Sequence, residues 1–441
     1  MASVIKIYAL FLGSALLMFG GGLQGLLLSV RGAEEGFSML ALGLIGTGWS
    51  VGFVAGSVTV PLVVRKVGHI RAFSVMAAIG TVTILLNLLL VNDISWIILR
   101  SLSGFCFAGA AMIVESWLNE VAENKSRGTI FSIYVTINMA SSTMGQIAMS
   151  VTGTAGYIPF VVGAISFICA VLPTALTSSP QPRPLASAKL DIGLLYRTSP
   201  VAAIAAFSCG MANGAFGTMA PVYGHAQGLD SSGIALLFAL AATLGATAQI
   251  PFGRLSDRID RRIVLIGLAS FAAFVGALTV LINPGPNWVM FVLFAAYGFA
   301  ANPLYAVAVA HANDFARDGE FAKIAGGMLM TMGVGLAIGP ALASFIMGAW
   351  SPVGLFTVTA SFHGALALTA FLRMRARKSK DATERTPFRP MATGKPDTPE
   401  TIELDPRAES EAYPLASEEP AVPDELAMPP EETDHVQDRP V

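Results

Sequence analysis

The 441-residue sequence predicts an all-α integral membrane protein, with twelve transmembrane helices in two six-helix pseudo-symmetric bundles and a disordered C-terminal tail. Three observations carry this. Hydrophobic residues make up 54% of the chain and charged residues only 13%, against roughly 25% charged in soluble domains. Apolar runs long enough to cross about 30 Å of hydrocarbon recur along most of the chain. The first half also slides onto the second with a nearly constant offset: 288 − 96 = 192 for Trp96 and Trp288, 298 − 104 = 194 for Gly104 and Gly298.

The first run, 4–30, has no convincing cleavage site and is followed by eleven more, so it is expected to stay as a span rather than leave as a signal peptide. The second, 40–63, ends in a basic turn with Arg65, Lys66 and Gly68. Asn92 and Asp93 part the third (72–91) from the fourth (95–119), and Gly153 parts the fifth (128–152) from the sixth (156–177). Residues 178–199 are rich in Pro and Ser without apolar periodicity, which suits a linker. The seventh and eighth runs, 200–224 and 232–252, lead into the charged string GRLSDRIDRRI at 253–263. The ninth (263–282), tenth (288–312), eleventh (324–348) and twelfth (352–372) complete the set, cut by Pro and Gly near 284 and by Trp350 to Pro352. The expected division is therefore a bundle at 1–177, the linker 178–199, a second bundle at 200–373, and a tail at 374–441.

With a cytoplasmic N-terminus the inner loops collect the loop Lys and Arg residues, among them Arg127, Arg258 and Arg262, while Arg31 stands in an outer loop. That asymmetry fixes the orientation, and an even number of spans returns the C-terminus to the cytoplasm. Trp96, Trp288 and Trp350 fall at outer ends, as an interfacial aromatic belt would place them. Residues 381–441 are strongly acidic and Pro-rich, a composition that stays disordered. Just before them Arg373, Arg375, Arg377, Lys378 and Lys380 form a basic cluster suited to anionic lipid headgroups or simply to anchoring the topology.

The repeat matches Asn119 and Glu120 with Asn313 and Asp314, and Gly145 with Gly339. Two similar bundles side by side enclose a midplane cavity that rocking exposes to each side in turn, the architecture of a secondary transporter. GRLSDRIDRRI resembles the loop motif of the major facilitator superfamily, GxLxDRxGRR, through Gly253, Leu255, Asp257, Arg258, Arg261 and Arg262, with Asp260 where the family usually has Gly. The first-half loop is degenerate. RSLSGFCFAGAAMIVESWLNE from Arg100, SRGTIFSIY from Ser126 and the Gly145–Gln146 pair are similar to the YcaD-like branch of that family.

Arg100 lies about six residues into the fourth span, ~9 Å from its outer end. Charges at such depth usually face the bundle interior or a water path. The resemblance to the family's fourth-helix motif implies a role in orienting an anionic group or tuning a proton site; snorkelling to the headgroups is the competing reading. Glu115 lies ~22 Å further along the helix. It is expected to accept from Arg127 or the Arg65 turn, as a latch that closes the inner face in one conformation, with Asp257, Arg258, Arg261 and Asp314 as its second-half counterpart. The resemblance implies that spans one, four, seven and ten line the cavity, where Gln24, Arg100, Asn213, Asn302 and Tyr305 are the polar candidates. Interhelical hydrogen bonding explains a single Asn or Gln equally well. Pro221 and Pro303 are expected to break their helices nearby. Trp49 and Tyr134 would add aromatic surface if they face inward. His311, His363 and the cysteines Cys106, Cys169 and Cys209 are read as packing residues.

No nucleotide-binding loop, zinc spacing or nucleophile constellation occurs, so no catalysis, metal or cofactor is expected. The expected function is secondary transport of a small organic solute, amphipathic or weakly anionic, in the inner membrane, with proton coupling left open. The expected partners are the solute and membrane lipid, with no nucleic acid, and the resemblance implies a monomer. The alternative is a transporter-shaped sensor or scaffold that signals through its tail.

Overall fold

The structure, a computed structural model, describes residues 2–121, 127–175, 191–317 and 320–376, and beyond them 380, 385–386, 388, 390–391, 398–399 and 401. Its helices are α1 (Ala2–Glu34), α2 (Met39–Val67), α3 (His69–Leu89), α4 (Asp93–Val121), α5 (Arg127–Thr152), α6 (Ile158–Cys169), α7 (Val171–Ala175), α8 (Ile192–Thr198), α9 (Pro200–Ala226), α10 (Ser231–Arg258), α11 (Arg261–Ile282), α12 (Trp288–Asn313), α13 (Phe321–Ala349) and α14 (Gly354–Ala376). The twelve expected spans are α1 to α5, α6 continued by α7, and α9 to α14. Ten of these helices are long and apolar enough on their own to cross a bilayer. The other two are α5, long but rich in Ser and Thr, and the shorter apolar α6.

Helix ends sit where the sequence supplies caps. Ser38, Asp230 and Asn287 accept from the backbone N–H of Ala41, Gly233 and Val289 at 3.2, 2.8 and 2.9 Å. Gly68, at φ 84°, lets α2 turn straight into α3, a conformation that a side chain would strain.

Packing repeats with the sequence offset. A Cβ on Gly104 would fall 2.1 Å from the Trp49 carbonyl oxygen, and one on Gly298 would fall 2.3 Å from that of Ala241. Likewise Gly145 approaches the Phe19 carbonyl and Gly339 that of Met211, at 2.0 and 2.3 Å. α2 therefore packs on α4 as α10 does on α12, and α1 on α5 as α9 does on α13. Large apolar side chains such as Leu62, Val82, Ile98, Phe274, Leu281 and Leu368 are exposed on the outside, as a lipid-facing surface requires.

The bundles have two ends. The basic face carries the Gly68 turn, the α10–α11 turn and the end of α12; the opposite face carries the start of α2 and the end of α13. At the opposite face the halves are sealed. The Thr47 hydroxyl donates to the Ala337 carbonyl at 2.7 Å, a Cβ on Gly43 would meet Ser344 Oγ at 2.1 Å, and one apolar cluster joins Leu26, Leu42 and Met149 to Met219, Phe238 and Met347.

Several expectations change. Trp96 is fully buried, its indole N–H donating to the Asn87 carbonyl at 2.9 Å, so only Trp288 and Trp350 stand exposed as belt residues. α9 and α12 run unbroken through Pro221 and Pro303. The linker ends in a helix, α8, capped by Asp191 and anchored by the buried Leu195 against α13; residues 178–190 lie outside the described residues. The tail is not wholly apart from the fold, because its described residues from Arg385 to Thr401 pack on the basic face. Its remainder, and Arg377 and Lys378 of the basic cluster, lie outside the described residues, while Arg373 and Arg375 are exposed on the last turn of α14.

Candidate functional site

A cavity of about 650 Å³ lies between the halves, running from Gly25, Arg100 and Asn302 in the interior toward Ser132, Ile250 and Pro390 at the basic face. Arg100 is the only formally charged side chain among its described lining residues. Its Nη1 donates to Gln24 Oε1 at 2.8 Å, and its guanidinium lies 5.5 Å from the Trp49 ring centroid. Ser103 Oγ donates to the same Gln24 oxygen at 3.1 Å, so two donors fix how the Gln24 amide faces. Glycine beside this cation leaves clearance: a Cβ on Gly25 would already stand 3.8 Å from Arg100 Nη2. Among the described residues the partners of this half-buried cation are a neutral amide and an aromatic face, neither of which carries a compensating charge.

The other polar candidates divide. Asn213 lines the cavity. Asn302 lines it too, but its Nδ2 donates to the Ala241 carbonyl at 3.3 Å, and the side chain fills the space that Gly245 leaves open. Gln24 sits behind Arg100 as its hydrogen-bond acceptor. Tyr305 is not among the described lining residues; it is buried in the second-half core with Met328 and Met332. Tyr134 does not line the cavity either; it is buried and donates to Glu115 Oε1 at 2.5 Å. His363 packs in α14, with Nδ1 2.8 Å from the Thr359 carbonyl oxygen. His311 stacks edge-on against Phe315.

Sequence reasoning missed the α5 wall. Ser132, Thr136, Met139, Thr143 and Gln146 line the cavity at helical spacing, and that stripe of polar residues was visible as a 3.6 period. The Thr136 and Thr143 hydroxyls donate to their own helix carbonyls, which leaves their oxygens as acceptors toward the cavity. Gln146 Oε1 and Gln24 Nε2 are buried and have no hydrogen-bond partner among the described residues.

At the basic face, Arg261 is 1% exposed and joins three elements. Its Nε lies 2.7 Å from Asp314 Oδ2, its Nη2 3.2 Å from Asp257 Oδ1, and its Nη1 donates to Ser256 Oγ at 3.0 Å. These bonds lie within the second half. Arg258 is exposed on the last turn of α10, outside that cluster. Glu115 is fully buried at the basic end of α4, where Tyr134, Thr398 and Thr401 donate to it. The side chain of Arg127 lies outside the described residues, and Arg65 is exposed.

The sequence profile of the Major Facilitator Superfamily matches residues 10–246 and 202–404. An uncharacterized MFS-type transporter, YcaD, from Escherichia fergusonii is 24% identical over 333 residues, covering 75% of this chain and 85% of its own length. An uncharacterized MFS-type transporter of Enterobacter sp. strain 638 is 25% identical over 334 residues, with the same coverage of 75% and 85%. The crystal structure of the nucleoside transporter NupG superposes with a TM-score of 0.67 at 16% identity, covering 86% of this chain and 100% of that one. A bacterial homolog of the human lysosomal transporter Spinster, in an inward-facing and occupied conformation, gives a TM-score of 0.67 at 16% identity, covering 86% and 97%. At such identities these two likenesses are of fold alone.

Proposed function

Because the chain belongs to the Major Facilitator Superfamily, we propose that it is a secondary transporter carrying a small, amphipathic, weakly anionic organic solute through the inter-bundle cavity by alternating access. One observation carries the substrate class: Arg100, held by the Gln24 amide beside Trp49, is the single charge on the described cavity wall. A cation kept at that depth without a carboxylate partner among the described residues is costly unless a ligand anion completes it. Trp49 and the α5 stripe offer a flat apolar surface and hydroxyl acceptors for the rest of such a molecule. No acid stands among the described lining residues, so a proton moved with the solute would ride on the solute itself or on Glu115 nearer the basic face.

In this reading the bundles are 1–177 and 200–373, joined by 178–199, and the protein works as a monomer in the inner membrane. The basic face is cytoplasmic by its excess of Lys and Arg, which puts both termini inside. Arg261, Asp257 and Asp314 tie α10, α11 and the end of α12 into one body that moves as a unit.

The test is thermal stability of the purified protein against a library of organic anions, cations and neutral compounds, with Arg100→Ala in parallel. A ligand at 100 times its Kd stabilises by about 2.7 kcal/mol. The expected hits are monoanions that Arg100→Ala no longer binds while still melting cooperatively. Hits confined to cations, or kept in full by Arg100→Ala, would overturn the assignment. The sensor reading differs on one point: deleting residues 381–441 would abolish a tail-borne output but leave solute flux in a transporter.

A further inference from the structure

We infer that the basic-face mouth of the cavity is a peptide-binding cleft whose resident ligand is this chain's own tail, through its described residues between Arg385 and Thr401, so that the protein closes its own entrance. The segment touches both halves. On the second half, the Thr386 N–H and hydroxyl each donate to Asp314 Oδ1 at 3.0 Å, and the Thr386 carbonyl accepts from Arg261. Two residues on, the Phe388 N–H donates to Asp257 Oδ1 at 3.1 Å, and the Phe388 ring occupies the place a side chain on Gly253 would take. Met391 and Gln249 then bond reciprocally, N–H to Oε1 and Nε2–H to carbonyl, both at 3.0 Å, as one strand pairs with another. On the first half, the Thr398 and Thr401 hydroxyls both donate to Glu115 Oε2, the latter at 2.9 Å. Pro390, between Phe388 and Met391, forms part of the cavity wall.

Backbone groups, one aromatic ring in a glycine notch and three buried or half-buried carboxylates make a recognition pattern, not a chance collapse of an acidic tail. Each of the three carboxylates, Asp314, Asp257 and Glu115, receives a neutral N–H or O–H donor from the segment. The anchorages lie on opposite bundles. Rocking that separates Glu115 from Asp257 and Asp314 pulls the two anchorages apart, so the docked segment favours the conformation in which the opposite face is sealed.

The test needs no substrate, so its failure is separate from failure of the transport reading, on which the inference rests only for its purpose. A cysteine is placed at Thr143, on the cavity wall, in a protein whose Cys106, Cys169 and Cys209 are changed to Ser. Its labelling by a membrane-impermeant maleimide from the basic face is timed in vesicles, for the full chain, for a truncation after residue 384, and for Phe388→Ala. Truncation is expected to raise the rate by about twofold or more, the factor by which a segment docked half the time slows entry. Phe388→Ala should raise it part of the way, and a synthetic peptide of residues 385–401 added to the truncated protein should lower it again. Equal rates in the full chain and in Phe388→Ala, with the truncated protein also unchanged or unfolded, would overturn the inference.

Discussion

Asp260 does three things in the turn between α10 and α11. Its carboxylate caps α11 by accepting from the Arg262 N–H at 3.0 Å, it chelates the Arg262 guanidinium with a shortest contact of 2.7 Å, and Arg262 in turn reaches the Arg373 carbonyl of α14 at 3.3 Å. Burial works against the charged carboxylate, but the hydrogen bonds and charge of Arg262 outweigh it and hold Asp260 below the usual carboxylate range. A group whose folded pKa is depressed adds stability above its unfolded value, about 3.9, and loses it as pH falls through the folded value. Asp260→Ala should therefore cost about 0.5–2 kcal/mol at neutral pH through the lost cap, and should flatten the acid limb of a melting-temperature profile. A profile parallel to the parent's down to the lowest pH would contradict this. The sequence marked Asp260 only as a departure from the family Gly, since its partner lies two residues on and the carbonyl that this partner reaches lies on another helix. Arg100 was legible for the opposite reason: a charge inside an apolar run stands out, and Gln24 is one of few polar residues that could meet it. Tyr305 stood out in the same way, but whether a polar residue faces a cavity or a neighbouring helix depends on how closely that helix approaches.

The helices themselves were readable from the lengths of apolar runs, and their contacts from glycines that repeat at a fixed offset. Gly104 and Gly298 sit where carbonyl oxygens of α2 and α10 stand 2.1 and 2.3 Å from a would-be Cβ, too close for the backbone to yield cheaply. Gly104→Ala and Gly298→Ala are each expected to lower stability by about 1–3 kcal/mol. Gly267→Ala is the control: nothing lies within 4 Å of its Cβ position, and replacing a helical glycine there should be neutral or gain up to about 1 kcal/mol. Melting in one detergent decides it, and similar losses at all three positions would remove the close-packing argument. Two elements were not readable. α8 is a single short helix held by one cap and one buried leucine, too brief for periodicity to register. The docked segment hid inside an acidic, Pro-rich composition, because average composition does not weigh a few residues that find acceptors on the folded bundle.

The molecule as a whole is closed at one end by its helices and at the other by its tail. At the helical seal, Gly43 lets α2 lie against Ser344 and Pro340 of α13, and Thr47 bonds across to Ala337 at 2.7 Å. Gly43→Leu should wedge that seal and shift the population toward the state open at the opposite face. A cysteine at Leu26, buried on the cavity wall, would then label faster from that side, whereas an unchanged rate would mean that the α2–α13 contact does not set the balance. The other closure has a different character, which follows from where it is tied. Only residues 377–384 separate the end of α14 from Arg385. A ligand on so short a leash meets its own site at an effective concentration on the order of millimolar, independent of how much protein the membrane holds. A free peptide of merely millimolar affinity would thus be docked about half the time once attached. From that midpoint the gain or loss of one hydrogen bond, ~1 kcal/mol, moves occupancy to about five-sixths or one-sixth. Weak contacts on a short tether make the entrance a rheostat rather than a lock.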